Sequence, residues 1–200
     1  MFYSVLKSSL AAALVIAAGL GAYAGYLQIY GNFHTVIEGE VYRSAQPTPA
    51  QLEAYVREHG IRTVINLRGE NSRNDWYRDE VATAKALGVG HIDFRMSAAE
   101  DFTPERADEI TAIMAAAPKP ILIHCQAGAD RTGLVSAIYS YRLAGWTEHA
   151  AENQLSFYFG HVGIPYLSRA WAMDMSWEKL EDSLDRSVGE VSTVPGASPT

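Results

Sequence analysis

Ile121-Leu122-Ile123-His124-Cys125-Gln126-Ala127-Gly128-Ala129-Asp130-Arg131-Thr132-Gly133 is the stretch that decides the fold. Its apolar start follows the breaker Pro118-Lys119-Pro120 and is too short for a helix, so Ile121 to His124 reads as a buried strand. Arg131 to Leu143 then reads as a helix, with Gly145 placed to end it. Working outward, the same alternation recurs upstream. His34 to Ile37 and Glu40 to Arg43 form a short β segment around a Glu38-Gly39 turn. Thr48 caps a helix to His59, ended by Gly60. Ile61 to Leu67 is a β-branched strand, Asp75 to Leu87 a helix and Val89 to Phe94 a strand. Thr103 and Pro104 open a helix to Ala117. Further helices are expected over Thr147 to Phe157 and Leu167 to Ser183. The fold class that follows is α/β, a mainly parallel central sheet flanked by helices.

The ends differ in kind. Ser8 to Leu27 carries no charge, and Lys7 is the single charged residue before Glu38. An apolar helix of that length at about 1.5 Å per residue just crosses a hydrocarbon core of about 30 Å. Residues 1–30 therefore read as a membrane anchor, with Tyr23, Tyr26 and Tyr30 as an interfacial belt, or as a signal segment with Ala22-Tyr23-Ala24 as its cleavage site. Both readings put the rest of the chain on the non-cytoplasmic side. Residues 31–186 form the folded domain, and residues 187–200 are expected to be disordered because they lack periodicity.

Composition narrows the function. The chain has 200 residues, 48% hydrophobic and 20% charged, which suits one globular domain with accessories. Its net charge of −7 argues against a nucleic-acid partner, which needs clustered Lys and Arg. Cys125 is the single cysteine, so it has no disulfide partner within the chain. His59, His91, His149 and His161 show no metal-ligand spacing, so no metal and no cofactor are expected.

The loop itself carries chemistry. Successive backbone N–H groups in Gln126, Ala127, Gly128, Ala129 and Asp130 can wrap the oxygens of a phosphate group, and the following helix N-terminus adds partial positive charge. Arg131 offers a planar fork to two phosphate oxygens. Such surroundings favour a thiolate at Cys125, which makes it a nucleophile. Gly128 is read as allowing close approach of backbone to phosphate, His124 as fixing the loop, and Thr132 as donating its hydroxyl to the thiolate.

His124 to Gly133 resembles the His-Cys-x5-Arg-Thr-Gly signature of the protein tyrosine and dual-specificity phosphatase superfamily. Val41-Tyr42-Arg43-Ser44-Ala45-Gln46-Pro47 and Gly60 to Arg68 resemble its compact bacterial and fungal branch, so the likeness spans about residues 33 to 145. It implies a phosphocysteine intermediate, no metal, and a general acid on a loop upstream of the nucleophile. Asp101 is the first candidate for that acid, Glu100 the second, with Asp130 and Asp93 as alternatives. Arg68, at the C-terminal end of its strand, is expected to add positive charge at the rim. The substrate is expected to be a phosphotyrosine protein or, given the exported N-terminus, a membrane lipid phosphate. A rhodanese-like sulfurtransferase and an inactive phosphate-binding module are the competing readings.

Overall fold

The computed structural model describes residues 2–192. Five strands form one mixed sheet: β1 (His34–Ile37), β2 (Val41–Ser44), β3 (Thr63–Asn66), β4 (Gly90–Asp93) and β5 (Ile121–His124). Their order is β1-β2-β5-β3-β4. β5 runs parallel to both β2 and β3, β4 is parallel to β3, and only the edge strand β1 is antiparallel to its neighbour. The strand leading to Cys125 is thus the middle of the sheet, and all four of its residues are buried.

Seven α-helices accompany the sheet among the described residues: α1 (Phe2–Ile29), α2 (Pro49–His59), α3 (Asp75–Ala86), α4 (Pro104–Ala116), α5 (Asp130–Arg142), α6 (Glu148–Glu152) and α7 (Trp171–Ser192). Alternation along β5 sends Ile121 and Ile123 to one face and Leu122 to the other. The first pair packs with Ile110 and Met114 of α4, Leu134 and Ile138 of α5, and Met173 and Trp177 of α7. Leu122 packs with Tyr42, Val64, Leu52 of α2 and Ala84 of α3. The helix starts follow their local signals. Thr48 and Gln51 form a reciprocal capping box on α2, which ends at left-handed Gly60 (φ 67°). The Thr103 side chain accepts from Arg106 N at the start of α4.

Three expectations are corrected. The helix expected from Thr147 to Phe157 ends at Glu152, because the chain turns inward to bring Gln154 to a buried arginine. The last helix begins at Trp171 and continues to Ser192, so residues 187–192 of the expected disordered tail are helical, and residues 193–200 lie outside the described part. The N-terminal run does form a helix, but among the described residues no helix is long and apolar enough to cross a membrane. The fold therefore gives the expected spanning anchor no support. Nor is residue 30 a clean boundary. Leu27 is buried, and the Tyr23 hydroxyl donates to Tyr158 O at 2.6 Å, so the end of α1 is packed onto the domain.

Candidate active site

Cys125 begins a loop at the C-terminal edge of the sheet, where an α/β sheet places its ligands. The loop runs into α5, whose first residue is Asp130. Its carbonyls are all turned outward and held. Cys125 O lies 3.4 Å from His124 Nδ1, and Gln126 O accepts from Gln46 N at 3.2 Å. Ala127 O accepts from Asn32 Nδ2 at 2.9 Å and Gln28 Nε2 at 3.3 Å, both from the end of α1 and the turn after it. Gly128 O and Ala129 O accept from the Arg43 guanidinium at 2.9 and 3.3 Å. With the carbonyls committed outward, the amides of residues 126–129 donate to no acceptor among the described residues, nor can the first amides of α5 find one within the helix. A ring of free N–H groups around Cys125 is what an oxyanion requires.

Gly128 is needed for a different reason than the sequence suggested. It has φ 71°, and a Cβ there would lie 2.5 Å from Ala45 N and 2.6 Å from Ser44 C. The tight approach is to the end of β2.

Two residues that sequence reasoning missed carry the support. Arg43 on β2 is fully buried beneath the loop. Besides the two loop carbonyls it donates to Gln154 O at 2.8 Å and Gln154 Oε1 at 2.9 Å, and its guanidinium lies 3.8 Å from the Phe159 ring centre. Burial pushes its pKa down, while the charge of Cys125 acts in the opposite sense. Period-two alternation placed it on the same face as Val41, so an arginine in a buried register was the available signal. Glu80 on α3 is the second. Its Oε1 lies 2.7 Å from His91 Nε2 and 3.1 Å from His124 Nε2, and Gln46 Nε2 donates to its Oε2. Burial by itself would raise the Glu80 pKa, but the contacts with His124 and His91 outweigh it and bring it to about 2. Glu80 occupies the Trp76-Glu80-Ala84 stripe that faces the sheet, and an acid on that stripe was the signal. His124 is thus tied to Glu80 on one side of its ring, with Cys125 O 3.4 Å from the other ring nitrogen. Thr132 does not act as expected here, since its buried hydroxyl has no hydrogen-bond partner.

Beside Cys125 opens a cleft of about 480 Å³, walled by Gln126, Ala127, Asp130, Arg131, Met96, Ser97, Ala98, Gln28 and Arg169. Arg131 Nη1 is braced by Leu67 O at 3.4 Å and Met96 O at 3.3 Å, while its Nε is buried without a partner. Arg68 is not part of the cleft wall. It stacks 3.5 Å over Trp76 and donates to Gln46 Oε1 at 3.0 Å. Burial is the largest influence lowering its pKa, Arg131 lowers it further, and Cys125 raises it, so its charge is still felt at the site. Of the candidate acids, only Asp130 lines the cleft. Asp101 is exposed and paired with Lys179 of α7, and Glu100 is exposed. Asp93 accepts from Asn66 Nδ2 at 2.9 Å and from the Tyr77 hydroxyl. The loop between β4 and α4 supplies Ser97 and Ala98 to the cleft instead.

The likeness to known proteins falls on this same region. The dual-specificity protein phosphatase TpbA of Pseudomonas aeruginosa is 31% identical over 115 residues, which cover 58% of this chain and 49% of TpbA. The chain thus spans about half the length of the curated relatives it matches. The crystal structure of P. aeruginosa TpbA superposes with a TM-score of 0.57 at 22% identity, covering 76% of this chain and 92% of that one. The catalytic core of the PP-IP phosphatase Siw14 from S. cerevisiae gives 0.59 at 20% identity, covering 82% and 94%. These structural likenesses establish the fold. Residues 31–162 match the family described as "DSP-PTPase phosphatase fused to NAD+ Kinase". The chain therefore belongs to the DSP-PTPase phosphatase family.

Proposed function

We propose that this chain hydrolyses phosphomonoesters through a phosphocysteine intermediate. The observation that carries the reading is the loop of outward-held carbonyls, with free amides beside Cys125 and with Cys125 and Arg131 lining one cleft. The Cys125 thiolate attacks phosphorus, the bond to the ester oxygen breaks, and Arg131 with the loop amides holds the phosphoryl oxygens. The ester oxygen leaves with a proton from a carboxylic acid. Water then attacks the phosphocysteine, gives its proton to that carboxylate, and releases phosphate and the thiolate.

Asp101 is the proposed acid, carried by the loop that also supplies Ser97 and Ala98 to the cleft wall. Its pair with Lys179 lies in solvent, where such pairs contribute about 0–1 kcal/mol, so releasing it costs little. Asp130 is the competitor. Asp101→Asn should slow an alkyl phosphate far more than an aryl phosphate with a good leaving group. The same selective loss in Asp130→Asn instead would move the role there. Cys125→Ser should remove hydrolysis of an aryl phosphate while tungstate, a phosphate mimic, still raises its melting temperature. Turnover retained by that variant would refute the phosphocysteine route.

For the substrate, the family and the TpbA structure in complex with pTyr favour phosphotyrosine as the first to assay. A membrane lipid phosphate is favoured by the apolar α1, on which Leu14, Val15, Ile16 and Leu20 are exposed. That run also supports the proposal that the catalytic domain works on the non-cytoplasmic side, which cell fractionation with protease protection would test. A rhodanese-like activity is not favoured by the family, and intact Cys125 and Arg131 speak against an inactive module.

A further inference from the structure

Arg169 lines the same cleft as the loop from Cys125 to Arg131, in the segment between the 3₁₀ turn Phe157–Phe159 and α7. Its guanidinium makes no hydrogen bond, ion pair or ring contact among the described residues, and it is exposed. A free arginine on an ordinary surface means little. This one shares a cleft with Cys125 and Arg131, and the cleft is of a size that takes a small ligand, not a bare phosphoryl group.

Two further features make the position a built one. The segment carrying Arg169 is tied down at both ends. The Ser168 hydroxyl donates to Val162 O at 2.6 Å and accepts from Ala170 N at 3.0 Å, so the backbone on either side of Arg169 is fixed. At the start of the segment, buried His161 places Nδ1 at 2.8 Å from Asp130 Oδ1 and Nε2 at 3.0 Å from Asp174 Oδ1. Carboxylates only accept, so an imidazole serving both is a cation. Burial would lower the His161 pKa, but Asp130 and Asp174 outweigh it and the net direction is up. Asp130 is the one acid on the cleft wall. Its charge is therefore met from behind by His161, which leaves Arg131 and Arg169 to set the sign of the cleft.

We propose that Arg169 forms a second anion subsite, so that the preferred substrate carries a further anionic group beside the phosphate that Arg131 and the loop hold. This rests on the phosphatase reading of the cleft and narrows it to polyanionic phosphoesters. A phosphorylated polyol, free or as a lipid headgroup, has the shared chemistry: two anionic groups on one small frame. A guanidinium meets such a group with two parallel charge-assisted bonds, which ammonium cannot do.

The test reads discrimination, the ratio of kcat/KM on a soluble inositol bisphosphate to that on a plain aryl monophosphate. Arg169→Gln should lower this ratio about tenfold, the effect of losing one charge-assisted contact. Arg57→Gln, on α2 and away from the cleft, removes the same charge and should leave the ratio unchanged. Inhibition of aryl phosphate hydrolysis supplies a second reading. Arg169→Gln should weaken tripolyphosphate about tenfold more than orthophosphate. A ratio within twofold of the parent, or an equal fall in Arg57→Gln, overturns the subsite. If the bisphosphate is not turned over, equal weakening of tripolyphosphate and orthophosphate overturns it alone. Repeating the assay with the same headgroup on a lipid in mixed micelles identifies the source. A ratio larger for the lipid than for the soluble compound, and lost in Arg169→Gln, assigns a headgroup, and the reverse order assigns a free polyol phosphate. Failure of the underlying reading would show separately, as aryl phosphate turnover surviving Cys125→Ser.

Discussion

Replacing Arg43 by methionine keeps most of the side-chain volume and removes every one of its hydrogen bonds. Gly128 O, Gln154 O and Gln154 Oε1 are then buried without a donor, while Ala129 O keeps the bond from Gly133 N at 2.7 Å. Each stranded acceptor costs about 1–3 kcal/mol, so three of them cost roughly 3–9 kcal/mol. Removing the guanidinium also removes its desolvation penalty of several kcal/mol, which offsets part of that sum. A net loss of about 3 kcal/mol is expected, in line with breaking a buried charged network from one side. For a chain of this length that lowers the melting temperature by roughly 6–12 °C. The catalytic effect should exceed the stability effect, because the freed carbonyl of Gly128 no longer holds the loop amides inward. Circular dichroism melting and kcat/KM on an aryl phosphate, both taken well below the transition, separate the two. Arg43→Lys should fall between, since one ammonium cannot reach Gln154 and the loop together. A methionine variant that melts within about 2 °C of the parent with unchanged kcat/KM would refute the reasoning.

Other substitutions probe the same framework. Glu80→Gln removes a carboxylate whose folded pKa is about 2, below its ordinary 4.5. A depressed carboxylate stabilises above the unfolded value and loses that contribution as pH falls through the folded one. The variant should therefore be less stable by about 3 kcal/mol at pH 7, with the gap closing between pH 4.5 and 2 in denaturant titrations. A gap independent of pH would show that Glu80 acts by packing alone. Gly128→Ala should cost more than about 2 kcal/mol and bring hydrolysis near background, because the new methyl meets the backbone of Ser44 and Ala45 at a positive φ; a normal melting curve would contradict this. Asn32→Gly removes the donor to Ala127 O and Phe159 O without straining its left-handed backbone (φ 46°), and should cost about 2 kcal/mol with a lower kcat. An unchanged kcat would mean that the end of α1 does not tune the loop.

Much of the molecule was legible along the chain. The strand from Ile121 to His124, the loop and the helix after it are local, and their residue types satisfy local rules of period, capping and turn geometry. The order of strands and helices follows for the same reason, as do the starts at Thr48 and Thr103. The signals failed where a chain segment is shaped by something distant. Residues 153–170 leave the helical pattern because Gln154 serves Arg43 and His161 serves Asp130 and Asp174. Local propensity contains no term for either.

The sequence by itself determined the strand-loop-helix that carries Cys125 and Arg131, the proposed nucleophile and phosphate grip, and the α/β alternation that presents them, since each depends on residues a few positions apart. Tertiary structure alone decided what holds the loop open and what walls the cleft. Arg43, Glu80, Gln28 and Arg169 lie from tens of residues to about a hundred residues from Cys125, and only the pairing of β2 with β5 and the packing of α3 on the sheet bring the first two beside it. Buried charge needs a partner wherever the fold provides one, and its partner is chosen by proximity in space, which no spacing in the chain records.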